Sequence, residues 1–202
     1  MNINSTLSLI AAVTLGLSAC GAEETTAGPV AATAESERPE QDEPVAASEA
    51  DWMIALDGEG VRLVHSETGR TRLLAFGTER GVTESALAAQ LGPPDGRSSN
   101  DECGAGPLDF TSFGDFTANF QDDRFVGWFL RGGDTKSALT TMSGVGIGTT
   151  RDEMAKSLSI EMDENSTIGS EFHTAGFSGL LESDAPEAKV TDLWAGTNCI
   201  FR

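Results

Sequence analysis

The chain has few of the tyrosines, histidines and basic residues on which many catalytic and nucleic-acid-binding sites depend. It has no tyrosine, two histidines (His65 and His173), and 13 lysines and arginines against 32 acidic residues. With a formal net charge of −19, it would be repelled by nucleic acid and by anionic lipid head groups. The sequence therefore predicts no nucleic-acid partner, and two isolated histidines offer little material for a Ser-His-Asp arrangement.

Long hydrophobic runs are also missing. The apolar stretch near the amino terminus covers residues 7–17 and is too short for a transmembrane helix, which needs ~20 residues to cross the hydrocarbon core. Its length is typical of the apolar core of a signal peptide. It ends in Leu17-Ser18-Ala19-Cys20, which resembles a bacterial lipobox.

The lipobox resemblance implies a lipid anchor at Cys20. Residues 1–19 would be a lipoprotein signal peptide, and Cys20 would become the acylated first residue, bearing palmitate or similar chains that hold firmly when several are present. Gly21 follows the cysteine, where an aspartate would imply retention in the inner membrane. We therefore expect attachment to the outer membrane, with the domain facing the periplasm. The alternative is an ordinary secretory signal cleaved near Ala19, which would leave a free thiol.

Residues 20–50 are predicted to be a disordered, acidic tether. From residue 22 onward this segment has no aromatic residue. It has eight acidic residues and a single basic residue, Arg38. Such a segment cannot bury enough apolar surface to offset its loss of conformational entropy. Residues 51–202 begin beside Trp52, are rich in Phe, Leu, Val and Gly, and have the usual size of one folded domain.

Cysteine usage predicts one disulfide bond. Cys103 and Cys199 are the two cysteines of the domain, and an exported protein reaches an oxidising compartment in which disulfides persist. The alternative, a metal ion bound by both, is disfavoured because neither cysteine has another cysteine or a histidine at ligand spacing. The sequence predicts no metal site, no cofactor and no catalytic residue.

Two short segments match each other when displaced by 67 positions. Each has a glycine, then a threonine that can cap a helix, then apolar residues spaced three or four apart. The second also carries Glu153 at the position that completes a capping box with Thr150. The matched residues are Gly81, Thr83, Leu87 and Leu91 in the first segment and Gly148, Thr150, Met154 and Leu158 in the second.

Strand-like segments follow each predicted helix and end near a tryptophan, so Trp128 and Trp194 are expected at corresponding strand positions. Most connections are too short for helical crossovers, which predicts antiparallel pairing. The sequence therefore predicts an α+β fold, with a mainly antiparallel sheet and short helices on one face. Its parts are a hairpin at 51–80 and two tandem helix-plus-meander repeats at 81–143 and 144–202.

Aromatic residues predict which face of the sheet is buried. Between residues 108 and 120 the even positions, including Phe110, carry phenylalanines that we assign to the core. Phe113 has the other parity and is expected to be exposed at a turn. The strand at 125–130 has apolar residues at both odd and even positions. This is expected of a strand that is covered on both faces within the fold, or of one covered by helices on one face and by a partner on the other.

The two tryptophans can be read in two ways. We favour core packing for Trp128 and Trp194, and the alternative is a shared surface, with Phe113, that grips a partner or ligand.

The lipobox, the acidic tether and the two helix starts followed by β-meanders resemble the SmpA/OmlA (BamE-like) lipoproteins. The tandem arrangement with a disulfide is also similar to the β-lactamase inhibitory proteins. The first resemblance implies a non-enzymatic lipoprotein that binds a protein partner in outer-membrane assembly or maintenance. The second implies, as an alternative, an inhibitor of an envelope or exported hydrolase. An enzyme is a third class, and would need a deep pocket holding His65 or His173 beside a carboxylate.

Overall fold

The computed structural model describes residues 51–133 and 137–201. The predicted signal peptide, the predicted lipidation site Cys20 and the predicted tether at 20–50 lie outside the described residues. Within them the fold is α+β and is dominated by antiparallel sheet, as the sequence predicts. In this described part, neither helix is long and apolar enough to cross a bilayer.

Strands greatly outnumber helices in the described part of the chain. In chain order the elements are β1 (Trp52–Asp57), β2 (Gly60–His65), β3 (Thr71–Ala75), α1 (Arg80–Leu91), β4 (Gly96–Asn100), β5 (Leu108–Phe113), β6 (Phe116–Gln121), β7 (Arg124–Arg131), β8 (Thr140–Thr141), α2 (Arg151–Ala155), β9 (Glu161–Met162), β10 (Ser170–His173), β11 (Ser178–Leu181) and β12 (Val190–Gly196).

The strands form two sheets. One has four strands in the order β3-β2-β1-β8, and the other has eight in the order β4-β5-β6-β7-β12-β11-β10-β9. The predicted hairpin before the first helix is present as β2 and β3, which pair antiparallel. β1 adds a strand that the sequence did not predict, and its pairing with β8 is parallel. In the large sheet, sequence neighbours pair antiparallel because their connections are short.

A single core lies against one face of the large sheet, called here the inner face. It includes Leu74 of β3, Leu87 of α1 and Met154 of α2. Trp128 of β7 is fully buried in it, and its indole Nε1 donates a 2.8 Å hydrogen bond to the carbonyl oxygen of Asp57 at the end of β1. Trp128 therefore joins the two sheets, in agreement with the core interpretation of this residue.

The two helices begin differently, although the sequence predicts a threonine cap for both. In α2 the predicted capping box is present. The N–H of Glu153 donates to Thr150 Oγ1 at 3.2 Å, and the N–H of Thr150 donates to Glu153 Oε2 at 2.9 Å. α1 begins at Arg80, with Glu79 in the cap position and Thr83 buried inside the helix. The predicted cap at Thr83 is wrong, because its hydroxyl donates instead to the carbonyl oxygen of Glu79.

Replacing Thr150 with alanine is expected to lower the free energy of unfolding by about 1 kcal/mol, because the N–H of Glu153 loses its side-chain acceptor. Urea unfolding followed by circular dichroism measures the loss. Thr150→Ser keeps the hydroxyl and serves as the matched control, which should stay near the wild type. A Thr150→Ala variant as stable as the wild type would show that the cap contributes nothing.

Phe113 lies in the core, so the prediction that it is exposed at a turn is wrong. Its side chain is 5% exposed, and it lies opposite Phe116 across the turn between β5 and β6. A two-residue turn places the odd positions of one strand beside the even positions of the next. If even-numbered residues are assumed to face the core in both strands, one of the two strands is therefore assigned to the wrong face. Phe110, assigned to the core from the sequence, is half-buried on the opposite face.

Trp128 and Trp194 do not occupy corresponding strand positions, contrary to the repeat prediction. In the pairing of β7 with β12, Trp194 lies opposite Phe129, whereas Trp128 lies opposite Ala195. Directly opposed residues share a face, and neighbours along a strand point to opposite faces. Trp128 therefore points into the core, and Trp194 points to the other side of the sheet.

An ion-pair network joins α1 to strands β4 and β5. Glu84 of α1 accepts hydrogen bonds from Arg97 at 2.8 Å, from Thr111 at 2.7 Å and from Arg80 at 3.0 Å. These bonds, that from Arg97 above all, lower the pKa of Glu84 to about 2, although partial burial acts in the opposite direction. The same pairing raises the pKa of Arg97.

Glu84→Gln is expected to lower the free energy of unfolding by ~1 kcal/mol at neutral pH. A lowered pKa means that ionised Glu84 stabilises the fold above its ordinary pKa of 4.5, and that this contribution is lost as the pH falls through about 2. The pKa difference alone would correspond to ~3 kcal/mol, but the Arg97 side chain is 53% exposed and solvent screens the pair. Urea unfolding across this pH range should show the two proteins converging in acid. A difference that does not change with pH would contradict the assignment.

Candidate functional site

The face of the large sheet opposite the core, called here the outer face, carries the candidate site. One row of directly opposed residues crosses it: Ser112, Thr117, Phe129, Trp194, Ser178, His173 and Glu161. Since directly opposed residues share a face, this row and the residues two positions along each strand line one surface. The middle of the surface is aromatic, and one end is acidic with a histidine.

The aromatic part is built around Phe129 of β7, which is half-buried. Its ring stacks on that of Trp194, with centroids 5.9 Å apart and planes within 5° of parallel. The guanidinium carbon of Arg131 lies 5.6 Å from the Phe129 centroid. Trp194 is 6% exposed, whereas the Arg131 side chain is 75% exposed. Phe129 and Arg131 are therefore the members of this group that a partner can reach.

A depression of about 250 Å³ lies beside this stack. Phe110, Phe129 and Arg131 line it from the sheet, and Phe201 lines it from the segment that follows β12. Phe201 is 64% exposed, one of the most exposed large apolar side chains in the described part of the chain. We call Phe110, Phe129, Arg131 and Phe201 the aromatic patch.

Several interactions hold the segment at residues 197–201 beside the patch, among them a disulfide bond and hydrogen bonds from Asn119. The predicted disulfide between Cys103 and Cys199 is confirmed, with Cα atoms 5.2 Å apart, inside the usual range for a disulfide. Asn119 of β6 is 1% exposed and donates from Nδ2 to the carbonyl oxygen of Thr197 at 2.9 Å. Its Oδ1 is a buried acceptor to which no group in the described residues donates.

At one end of the outer face, three side chains converge that we call the acid–histidine cluster: Asp163, just after β9, and Glu171 and His173 of β10. One ligand atom from each lies within 4.8 Å of the others. His173 Nε2 is 3.7 Å from Glu171 Oε1 and 3.8 Å from Asp163 Oδ2. Glu171 is fully buried, and its Oε2 accepts from Ser166 Oγ at 2.8 Å. His173 Nδ1 is 2.8 Å from Ser178 Oγ.

Ser178 and His173 have the residue types of a nucleophile and its base. A hydrolase of that kind also needs backbone N–H groups that are free to stabilise an oxyanion. The N–H groups of Gly176 and Phe177, which precede Ser178, both donate to Thr174 Oγ1. In this arrangement the Ser178 hydroxyl orients the imidazole ring of His173.

His65, the other histidine considered for catalysis, has a structural role. It is 7% exposed, and its Nδ1 accepts from the N–H groups of Glu67 at 3.3 Å and Thr68 at 3.4 Å. Its ring meets that of Trp52 edge-on, with centroids 5.1 Å apart. These contacts fix the turn between β2 and β3.

The three aromatic residues named from the sequence as an alternative partner surface do not form one. Phe113, Trp128 and Trp194 are 5%, 0% and 6% exposed, and the first two belong to the core. The sequence reasoning missed the aromatic patch, although the apolar residues on both parities of β7 were a signal for it. With Trp128 in the core, its neighbour Phe129 must lie on the outer face.

The acid–histidine cluster is also absent from the sequence predictions, which include no metal site. Its signal was the spacing of Glu171 and His173, since residues two positions apart in a strand share a face. Asp163 joins them because β9 and β10 pair antiparallel, so that its N–H donates to the carbonyl oxygen of Glu171 at 2.9 Å.

No protein-family model, no curated protein and no solved structure matches this chain, so its function has to be argued from the outer face itself.

Proposed function

We propose that this chain is a non-enzymatic envelope lipoprotein that binds a protein partner in outer-membrane assembly or maintenance, and that it does so through the aromatic patch. The observation that carries the proposal is the patch itself. Phe110 and Phe129 are half-buried, Phe201 is 64% exposed and Arg131 is 75% exposed, all around one depression. Aromatic residues and arginine are enriched in protein interfaces and among the residues that dominate binding energy.

The patch residues are held in place before a partner arrives, which also favours binding. Fewer side chains then have to be ordered on association, so the entropy cost of binding is lower. Phe110 and Phe129 extend from strands inside the large sheet, and the Cys103–Cys199 disulfide holds the segment that bears Phe201. Asn119 lines the same depression. An unpaired buried acceptor costs about 1–3 kcal/mol, so a donor that reaches its Oδ1 would recover part of that energy.

The lipid anchor is the second part of the proposal. Acylation of Cys20 would attach the domain to the outer membrane through the predicted tether at 20–50. Labelled palmitate supplied to the native cells should enter the wild-type protein, and the labelled protein should separate with the outer membrane. Cys20→Ser should carry no label. Labelling that persists in Cys20→Ser would contradict the anchor.

The tandem units are the third part of the proposal. α1 precedes the run β4 to β7, α2 precedes the run β9 to β12, and the two runs lie in mirrored order on either side of the central pair β7 and β12. Two helix-plus-meander units joined side by side would give this order, which supports the proposed likeness to SmpA/OmlA lipoproteins. The units are unequal in detail, since α1 has 12 residues and α2 has 5.

Site-specific photocrosslinking in the native cells tests the partner proposal. A photoreactive amino acid at Phe110, Phe129 or Phe201 should crosslink to one and the same envelope protein. The matched control positions are Met53 and Val82, which are 57% and 45% exposed outside the patch. The same probe at these positions should not give that product.

Two outcomes would contradict partner binding through the patch: equal crosslinking from the control positions, or no specific product from the patch. Identification of the product as an exported hydrolase would favour the inhibitor alternative. The sequence argument for an inhibitor required Phe113, Trp128 and Trp194 to be exposed on one face. Phe113 and Trp128 instead lie in the core, and Trp194 is 6% exposed.

A further inference from the structure

A buried carboxylate beside a histidine is the starting observation. Glu171 is completely buried, and its Oε1 lies 3.7 Å from His173 Nε2, with Asp163 Oδ2 3.8 Å from the same nitrogen. A buried carboxylate is stabilised by hydrogen bonds and by nearby positive charge, and a bound cation would supply the latter. Two carboxylates here converge on one imidazole nitrogen.

The distances leave room for a positive ion between the three side chains. Charge-assisted N–H···O bonds are about 2.7–2.9 Å long, shorter than both of these separations. Two ligand atoms that are each about 2.1 Å from one tetrahedral metal ion lie roughly 3.4 Å apart. The three ligand atoms of the cluster lie within 4.8 Å of one another, so small side-chain movements would bring them around one ion.

Neighbouring hydroxyl groups orient two of the three side chains. Ser178 Oγ lies 2.8 Å from His173 Nδ1, and a proton on Nδ1 leaves the Nε2 lone pair directed towards the carboxylates. Ser166 Oγ donates to Glu171 Oε2 at 2.8 Å. Histidines and carboxylates that bind metals are commonly held by such outer hydrogen bonds.

We propose that Asp163, Glu171 and His173 bind a divalent transition-metal ion, with zinc as the best match. Zinc accepts imidazole nitrogen and carboxylate oxygen at about 2.0–2.2 Å, and water or a partner group would take the fourth position. Calcium and magnesium favour sets made of oxygen ligands alone, which argues against them here. The site is separate from the aromatic patch, and the inference does not rest on the proposed function.

Isothermal titration with zinc chloride tests this inference. The full chain is used without a histidine tag, freed of metal by a chelator, and with Cys20→Ser so that no free thiol competes. This protein should bind one zinc ion, and His173→Ala should weaken binding by at least about tenfold. His65→Gln removes the other histidine and is the matched control, which should bind as the parent does.

Asp163→Asn provides a second test, because its side chain is 27% exposed and the substitution leaves the buried Glu171 intact. Zinc should raise the melting temperature of the parent protein, and should raise that of Asp163→Asn much less. The inference is overturned if the parent binds no zinc, or if His173→Ala and Asp163→Asn bind it as tightly as the parent does.

Discussion

Replacing Trp128 with alanine is expected to lower the free energy of unfolding by about 3–5 kcal/mol. The side chain is fully buried between the two sheets, so alanine would leave a cavity there. It would also deprive the carbonyl oxygen of Asp57 of the indole N–H that donates to it at 2.8 Å. Urea denaturation followed by circular dichroism measures the loss.

Trp128→Phe separates these two causes, because it keeps most of the ring and removes the N–H. Trp128→Phe should lower the free energy of unfolding by less than Trp128→Ala does. It should lower it by more than Trp194→Phe, the matched substitution on the outer face. A loss below about 1 kcal/mol for Trp128→Ala would contradict the position of this residue in the core.

Removing the disulfide by combining Cys103→Ser with Cys199→Ser is expected to lower the free energy of unfolding by about 2–4 kcal/mol. The bond joins residues that are 96 positions apart, and closing a loop of that size restricts the unfolded chain by up to ~4.7 kcal/mol in the chain-entropy account. Because the bond also holds the segment that bears Phe201, the double variant should lose the photocrosslink from that position.

A reducing agent gives the matched control for this prediction. It should destabilise the wild type as much as the double substitution does, and it should leave the double variant unchanged. A wild type whose urea unfolding midpoint is the same with and without reductant would contradict a stabilising disulfide.

Local signals predicted much of the fold. The capping box of Thr150 and Glu153 depends on residues three positions apart, and α2 begins there. The antiparallel pairing follows from short connections. The Cys103–Cys199 bond follows from the presence of two cysteines in the domain of a chain whose sequence predicts export. In each case the deciding interaction is either near in sequence or has a single candidate pairing.

Features that depend on register were predicted poorly. Phe113 and Phe110 were assigned to the wrong faces because one turn of two residues reverses the parity between β5 and β6. The sequence predicts that Thr83 caps a helix, but α1 begins at Arg80 and contains Thr83. The parallel contact of β1 with β8 joins residues far apart in the chain, and no local pattern specifies such a pair.

Neither candidate site could be predicted as a unit. The aromatic patch combines β5, β7 and the segment after β12, which are brought together by strand order, the disulfide and the hydrogen bond from Asn119 to Thr197. In the acid–histidine cluster, the two-residue spacing of Glu171 and His173 is visible in the sequence. The placement of Asp163 beside them depends on how β9 pairs with β10.

The affinity of the purified crosslinking partner for variants of the aromatic patch tests the account most directly. Arg131→Ala and Phe201→Ala remove side chains that are 75% and 64% exposed, so both variants should keep the native fold. If the patch binds the partner, we expect at least one of them to weaken binding by about tenfold or more, while Val82→Ala on α1 leaves the affinity unchanged. Unchanged affinity in both patch variants, with the native fold retained, would contradict the account.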